Sequence, residues 1–189
     1  MSLTNICRWG ILGTASIGRR NWQAIANAGN ATLVSVASRN QASAEAYIQQ
    51  NQQHVPFEPL PIAVEGYAEL LERDDIDAVY IPLPTGIRKE WVIAAAAAGK
   101  HVLSEKPCGT NTGQLAEMLA ACQEHGVQFM DGVMFMHNQR LQKMKSILTD
   151  GKSVGEIRRI ASHFCFLGGD GFNSTNIRTN SELEPFGCL

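Results

Sequence analysis

The chain has 189 residues, 44% hydrophobic and 18% charged, with a formal net charge of −2. That length holds one full domain plus a remainder and can bury a sizeable core. The near-neutral balance sets aside partners recognised by bulk charge, such as nucleic acid or an anionic membrane. No apolar run reaches the roughly 20 residues that a membrane-spanning helix needs. Met1–Arg8 lacks the basic stretch and apolar core of a secretory signal. The five cysteines (Cys7, Cys108, Cys122, Cys165, Cys188) are scattered, odd in number and without a C-x-x-C pair. They read as reduced thiols of a cytoplasmic protein. The histidines lack metal-ligand spacing, so no metal site is expected.

In chain order, Cys7–Leu12 is a short apolar strand followed by a glycine-bearing turn. A helix is predicted from about Ser16 to Ala28, with Ile17, Trp22, Ile25 and Ala26 as its buried stripe; Gly29-Asn30 stops it. Thr32–Ser38 reads as a second strand, and residues 41–50 as a helix polar on one side. Residues 54–62 carry Pro56, Pro59 and Pro61 and form a loop with room for one short strand. Tyr67–Leu71 predicts a short helix. Asp77–Leu83 is almost continuously apolar, the pattern of a strand buried on both faces. Pro84-Thr85-Gly86 reads as a turn, and Lys89–Ala98 as an alanine-rich helix ended by Gly99. His101–Ser104 is a strand, ended by Glu105-Lys106-Pro107. Thr112–His125 is a helix with Leu115, Met118, Leu119 and Cys122 at helical spacing, and Val127–Met130 is a further strand. The alternation predicts an α/β, Rossmann-like, doubly wound parallel sheet with right-handed crossovers.

After Met134 the pattern changes. Asn138–Thr149 looks like an amphipathic helix, and Glu156–Leu167 alternates like a long antiparallel strand. Gly168–Ser181 is rich in Gly, Asn, Ser and Thr. A lone strand needs partners. The expected organisation is therefore a dinucleotide-binding domain over 1–133 and the incomplete start of an α+β substrate domain over 134–189.

Between the first strand and helix, Gly13, Ala15 and Gly18 stand in the G-x-G-x-x-G register of a dinucleotide turn. Gly13 permits the bend and Gly18 close helix–sheet packing, while Ala15 puts a methyl where a pyrophosphate approaches. With Thr14, Ser16 and Ile17, these residues present the helix N-terminus to phosphates. An NAD site normally has a carboxylate about 20 residues further on. Here no Asp or Glu occurs before Glu45, and the second strand ends in Ser38-Arg39-Asn40. Arg39 can pair with the 2′-phosphate of NADP, Ser38 can add a hydroxyl, and Arg19 and Arg20 add charge nearby. NADP is favoured over NAD. Lys106 follows a strand at the sheet edge where such folds bind ligands. Burial beside a nicotinamide would make its amine a usable acid or base, with Glu105 to orient it. By itself the tripeptide is better read as a surface lysine at a proline turn.

At these residues the chain resembles the glucose–fructose oxidoreductase / inositol dehydrogenase / rhizopine catabolism (Gfo/Idh/MocA) family. The resemblance rests on the Gly13–Gly18 turn, Ile81-Pro-Leu-Pro-Thr85, Gly99-Lys-His-Val-Leu-Ser-Glu-Lys-Pro107, Met130-Asp-Gly-Val-Met134 and Val154-Gly-Glu-Ile157. Residues 131–140 are most similar to the dihydrodiol and D-xylose dehydrogenase branch. The resemblance implies hydride transfer between NADP and a sugar-like or dihydrodiol alcohol or carbonyl. Lys106 and Glu105 would be catalytic, and Pro84 and Thr85 would line the cofactor groove. It also implies a cis Lys106–Pro107 bond, places His137 and Arg178 in segments bordering the substrate pocket, and implies homo-oligomers for full-length relatives. Many relatives carry histidine where Arg88 stands. The family's second catalytic motif, an aspartate followed four residues later by histidine or tyrosine, would lie beyond Phe186-Gly-Cys-Leu189. An incomplete, inactive form is therefore expected. The competing reading is a non-enzymatic NAD(P)-binding regulator, which the family also contains.

Overall fold

The computed structural model describes residues 6–163, 165, 167 and 172–185. Six parallel strands, β1 (Cys7–Leu12), β2 (Ala31–Ser38), β3 (Ile62–Glu65), β4 (Ala78–Ile81), β5 (His101–Ser104) and β6 (Phe129–Asp131), form one sheet in the order β3-β2-β1-β4-β5-β6. Between them run α1 (Gly18–Asn27), α2 (Gln41–Gln52), α3 (Tyr67–Leu71), α4 (Thr85–Ala97) and α5 (Thr112–Glu124). The expected doubly wound α/β fold is the one found. β3, expected somewhere in the proline loop, starts at the end of that loop.

Alternation along the strands divides the core between two faces. Leu12, Val79 and Ile81 belong to one buried cluster, with Val92 of α4 and Met118 and Cys122 of α5. Their neighbours Ile11 and Tyr80 belong to the other, with Trp22 and Ile25 of α1 and Ile48 of α2. Fully burying one such aliphatic side chain contributes about 1.5–3 kcal/mol. Local signals begin the helices. The Asn40 side chain accepts from Ser43 N at the start of α2, and Asn111 from Gln114 N at the start of α5.

The expected stripes need trimming. In α1 the buried positions are Gly18, Trp22 and Ile25, whereas Ala26 is exposed. That spacing of i, i+4, i+7 defines a face only about 60° wide, and residue 26 lies about 40° past its Trp22 edge. Leu119 is also exposed, one 100° step round the helix from Met118 and about 60° past Cys122. α4 starts four residues before the expected Lys89, because Thr85 and Gly86 belong to its first turn.

The chain divides into two compact units, one over residues 6–132 together with 177–185, the other over 133–176. The segment from 177, expected with the second domain, packs as part of the first unit. The second unit contains a 3-10 turn (Met134–His137), α6 (Gln139–Thr149) and α7 (Phe172–Thr175). The strand expected over Glu156–Leu167 is absent among the described residues there. Ile160 is 80% exposed and Leu167 96%. Alternation alone cannot make a strand without a ladder to pair with. No helix among the described residues is long and apolar enough to cross a membrane.

Gly18 packs beneath a tyrosine. A Cβ there would stand 2.5 Å from the Tyr47 hydroxyl, and the Tyr47 ring is held edge-on against Trp22. That hydroxyl is buried without a hydrogen-bond partner among the described residues, and burial pushes its pKa up to about 12, against a lowering pull from Arg19. Gly18→Ala should therefore cost about 1–3 kcal/mol through overpacking. Tyr47→Phe should raise stability by removing an unpaired buried hydroxyl. The double variant should recover most of the Gly18→Ala loss. Denaturant melts of the four proteins measure this, and an equal Gly18→Ala cost in both backgrounds would exclude the hydroxyl as the cause.

Candidate active site

The site is built at the C-terminal ends of β1, β2, β4 and β5. β1 stops at Leu12, and Gly13 turns the chain with φ +107°. Its N–H donates to Ala37 O at 2.8 Å, and a Cβ would meet Leu83 Cδ2 at 3.0 Å. The turn closes through Gly18 N to Ala15 O (2.9 Å) and Arg19 N to Ser16 O (3.3 Å). Among the described residues, the N–H groups of Thr14, Ala15, Ser16 and Ile17 find no acceptor, and α1 carries no side-chain cap. This row of donors at a helix N-terminus fits the pyrophosphate of a dinucleotide.

β2 ends in buried Ser38, whose carbonyl accepts from Gly66 N at 2.8 Å. Arg39 follows, exposed and without an ion pair among the described residues. Arg19 and Arg20 are also exposed, and Arg19 donates to Gln50 Oε1 at 2.7 Å.

Pro84 is half-buried at the end of the β4 segment. Thr85 is only 1% exposed. Its N–H and hydroxyl donate to the Glu184 carboxylate at 3.0 and 2.7 Å, and Gly86 N donates to Leu183 O at 2.8 Å. Beneath them Arg88, 3% exposed, donates through its fork to Leu83 O and Pro107 O. Burial pushes the Arg88 pKa down, while Glu184 and Glu105 pull it up. The guanidinium thus joins the end of the β4 segment to the chain immediately after Lys106.

Glu105 N donates to Ile81 O at 3.2 Å. The Glu105 carboxylate accepts from the Tyr80 hydroxyl at 2.8 Å and from Lys106 N at 3.3 Å. It forms no ion pair with the Lys106 amine among the described residues. The Tyr80 ring is buried, which pushes its pKa well up; Glu105 pushes it further, and an Asn21 side-chain hydrogen bond opposes. Lys106 is exposed, and the Lys106–Pro107 bond is cis. Arg178 lies in a 3-10 turn of the first unit (Ile177–Thr179), and His137 in the 3-10 turn of the second.

Sequence reasoning missed Tyr80, Glu184 and the support given by Arg88. Tyr80 is the one polar side chain in Ala-Val-Tyr-Ile, and Arg88 shares the face of Val92, Ala95 and Ala96 at helical spacing. Both signals were visible. Glu184 was not, because its partner lies 99 residues away. Arg88→Met would strand the Leu83 and Pro107 carbonyls, at a cost of about 2–4 kcal/mol. Arg88→Lys should recover less than half of this, because a point donor cannot bridge what a planar fork does. Urea unfolding measures both losses, and an unchanged midpoint in Arg88→Met would refute the role.

Comparison with known proteins agrees with this geometry. Residues 7–133 match the family model described as "Oxidoreductase family, NAD-binding Rossmann fold" (GFO_IDH_MocA). The chain is 38% identical over 161 residues to dTDP-3,4-didehydro-2,6-dideoxy-alpha-D-glucose 3-reductase of Actinomadura kijaniata, covering 85% of this chain and 46% of that protein. It is 33% identical over 175 residues to D-xylose 1-dehydrogenase (NADP(+)) 2 of Haloferax volcanii, covering 93% and 50%. Among solved structures, it is similar to KijD10, a 3-ketoreductase from Actinomadura kijaniata in complex with TDP-benzene and NADP in an open conformation. That match has a TM-score of 0.72 and 35% identity, and covers 82% of this chain and 46% of that one. The chain spans about half the length of these curated relatives. A dinucleotide turn on a six-stranded parallel sheet, a fixed Glu-Lys-Pro corner and a family match across that whole sheet agree: the chain belongs to the Gfo/Idh/MocA oxidoreductase family.

Proposed function

We propose that this chain binds NADP across the C-terminal edge of its sheet. It forms the coenzyme half of an oxidoreductase that moves hydride between nicotinamide and a carbohydrate-like alcohol or carbonyl. The observation that carries the reading is the row of N–H donors from Thr14 to Ile17, which, like Arg39 beyond the end of β2, have no partner among the described residues. Gly13, Ala15 and Gly18 shape the cradle, and Ser38 and Arg39 face the adenosine ribose. Arg39, in a chain lacking any acidic residue before position 45, suits a 2′-phosphate better than a ribose hydroxyl. Pro84 borders the groove, and Thr85 fixes that border through Glu184. The bound nicotinamide supplies or accepts the hydride. The Lys106 amine hydrogen-bonds the substrate oxygen and passes a proton to or from it, while Glu105 holds the Lys106 backbone in place.

Relatives that reduce a dTDP-sugar or oxidise D-xylose support a sugar-like substrate and favour the enzyme over the regulator. Free Cys7, Cys108, Cys122 and Cys165 support a reducing, cytoplasmic setting.

Calorimetric titration with NADP and NAD tests the coenzyme reading. NADP should bind at least tenfold more tightly, and Arg39→Ala should lose about tenfold for NADP while changing NAD less than twofold. Tighter NAD binding would overturn it. In a full-length protein that joins this coenzyme half to a complete substrate domain, Lys106→Ala should leave coenzyme affinity within about twofold and lower sugar-dependent hydride transfer about 10²–10⁴-fold. Unchanged transfer would remove Lys106 from the chemistry.

A further inference from the structure

Tyr67 opens α3 two residues after β3 ends, on the same edge of the sheet as the glycine turn. Its ring is fixed from behind. It meets Trp91 of α4 edge-to-face, with centroids 5.0 Å apart and planes at 80°. It also packs against the buried cluster that contains Leu83 and Val92. Such a ring pair is worth about as much as a weak hydrogen bond beyond its burial and holds the phenol in one orientation.

The hydroxyl end is placed differently. A Cβ on Gly13 would stand 3.9 Å from it, so the hydroxyl borders the turn that cradles the pyrophosphate. Burial raises the Tyr67 pKa, and Arg39 is near enough to draw it part of the way back. Among the described residues the Tyr67 hydroxyl has no hydrogen-bond partner, and Arg39 has no ion pair. The nearby Glu69 carboxylate folds back against Gly66 and does not pair with Arg39. A rigid neutral donor and an unpaired cation therefore converge beside a turn whose own N–H groups are unpaired. In folds of this type, the residue after the second strand faces the 2′ position of the adenosine ribose. A ribose hydroxyl would leave the guanidinium unmatched, whereas a phosphate has enough oxygens for both donors.

From this geometry we infer that the Tyr67 hydroxyl donates to the adenosine 2′-phosphate of the coenzyme, beside Arg39, and helps to select NADP. The inference rests on the coenzyme reading above. Tyr67→Phe keeps the ring and its Trp91 contact and removes only the donor, so its thermal midpoint should match that of the wild type. Calorimetry with 2′,5′-ADP and 5′-AMP isolates the adenosine end without any turnover. Tyr67→Phe should weaken 2′,5′-ADP binding about tenfold, the loss of one hydrogen bond to a charged acceptor, and change 5′-AMP binding less than twofold. Unchanged 2′,5′-ADP affinity, or an equal loss for both probes, would overturn the assignment while leaving the coenzyme reading intact. A wild-type chain that binds neither NADP nor 2′,5′-ADP would overturn both.

Discussion

β1 is paired in parallel on both sides, along its full length with β2 and through Trp9–Ile11 with β4. Strand order reverses across it, so the connection after β1 leads towards β2 while β4 continues towards β5 and β6. The chain segments after β1 and β4 therefore part, and a crevice opens at the C-terminal edge between them. The glycine turn, the end of β2 and the Glu-Lys-Pro corner all reach that edge because the sheet is parallel. Had β4 paired the other way round, Pro84 would lie at the opposite edge from Gly13.

Beneath the crevice lies a set of buried polar groups in an otherwise apolar layer. Tyr80 reaches Glu105, Glu105 reaches the Lys106 backbone, and Arg88 ties Leu83 to Pro107. Each group finds a partner, as burial requires. A wholly apolar floor would pack as densely, yet it would leave the loop carrying Lys106 free to slide. Directional bonds to a rigid strand and helix fix that loop, and the Lys106 side chain itself stays in solvent.

Most of the sheet was legible in the sequence because its strands are short, apolar and bounded by turn residues. His101–Ser104 and Tyr67–Leu71 were read to the residue. Gly86 misled, because a glycine two residues after a proline, in Pro84-Thr85-Gly86, reads as a turn. A distant segment supplies partners for the first donors of α4, and the helix starts earlier. Glu156–Leu167 misled in the opposite sense: its alternation marks a surface suited to pairing, and no ladder is present for the described residues to join. The glycine turn after β1 was visible as a motif. The contacts of Thr85 with Glu184 and of Tyr67 with Trp91 depend on long-range packing, which no local pattern encodes.

The ends of the helices differ in one respect with an electrostatic consequence. α2 begins on the Asn40 side chain, α5 on Asn111 and α4 on the carboxylate of Glu184. Each of these ends already has a first-turn N–H capped from within the protein. α1 alone among the four long helices of the sheet keeps its pole open to solvent, with no capping side chain. Along this edge the pole of α1 therefore keeps the most donors for an anion, and the exposed Arg39 guanidinium adds a second point of attraction beside it.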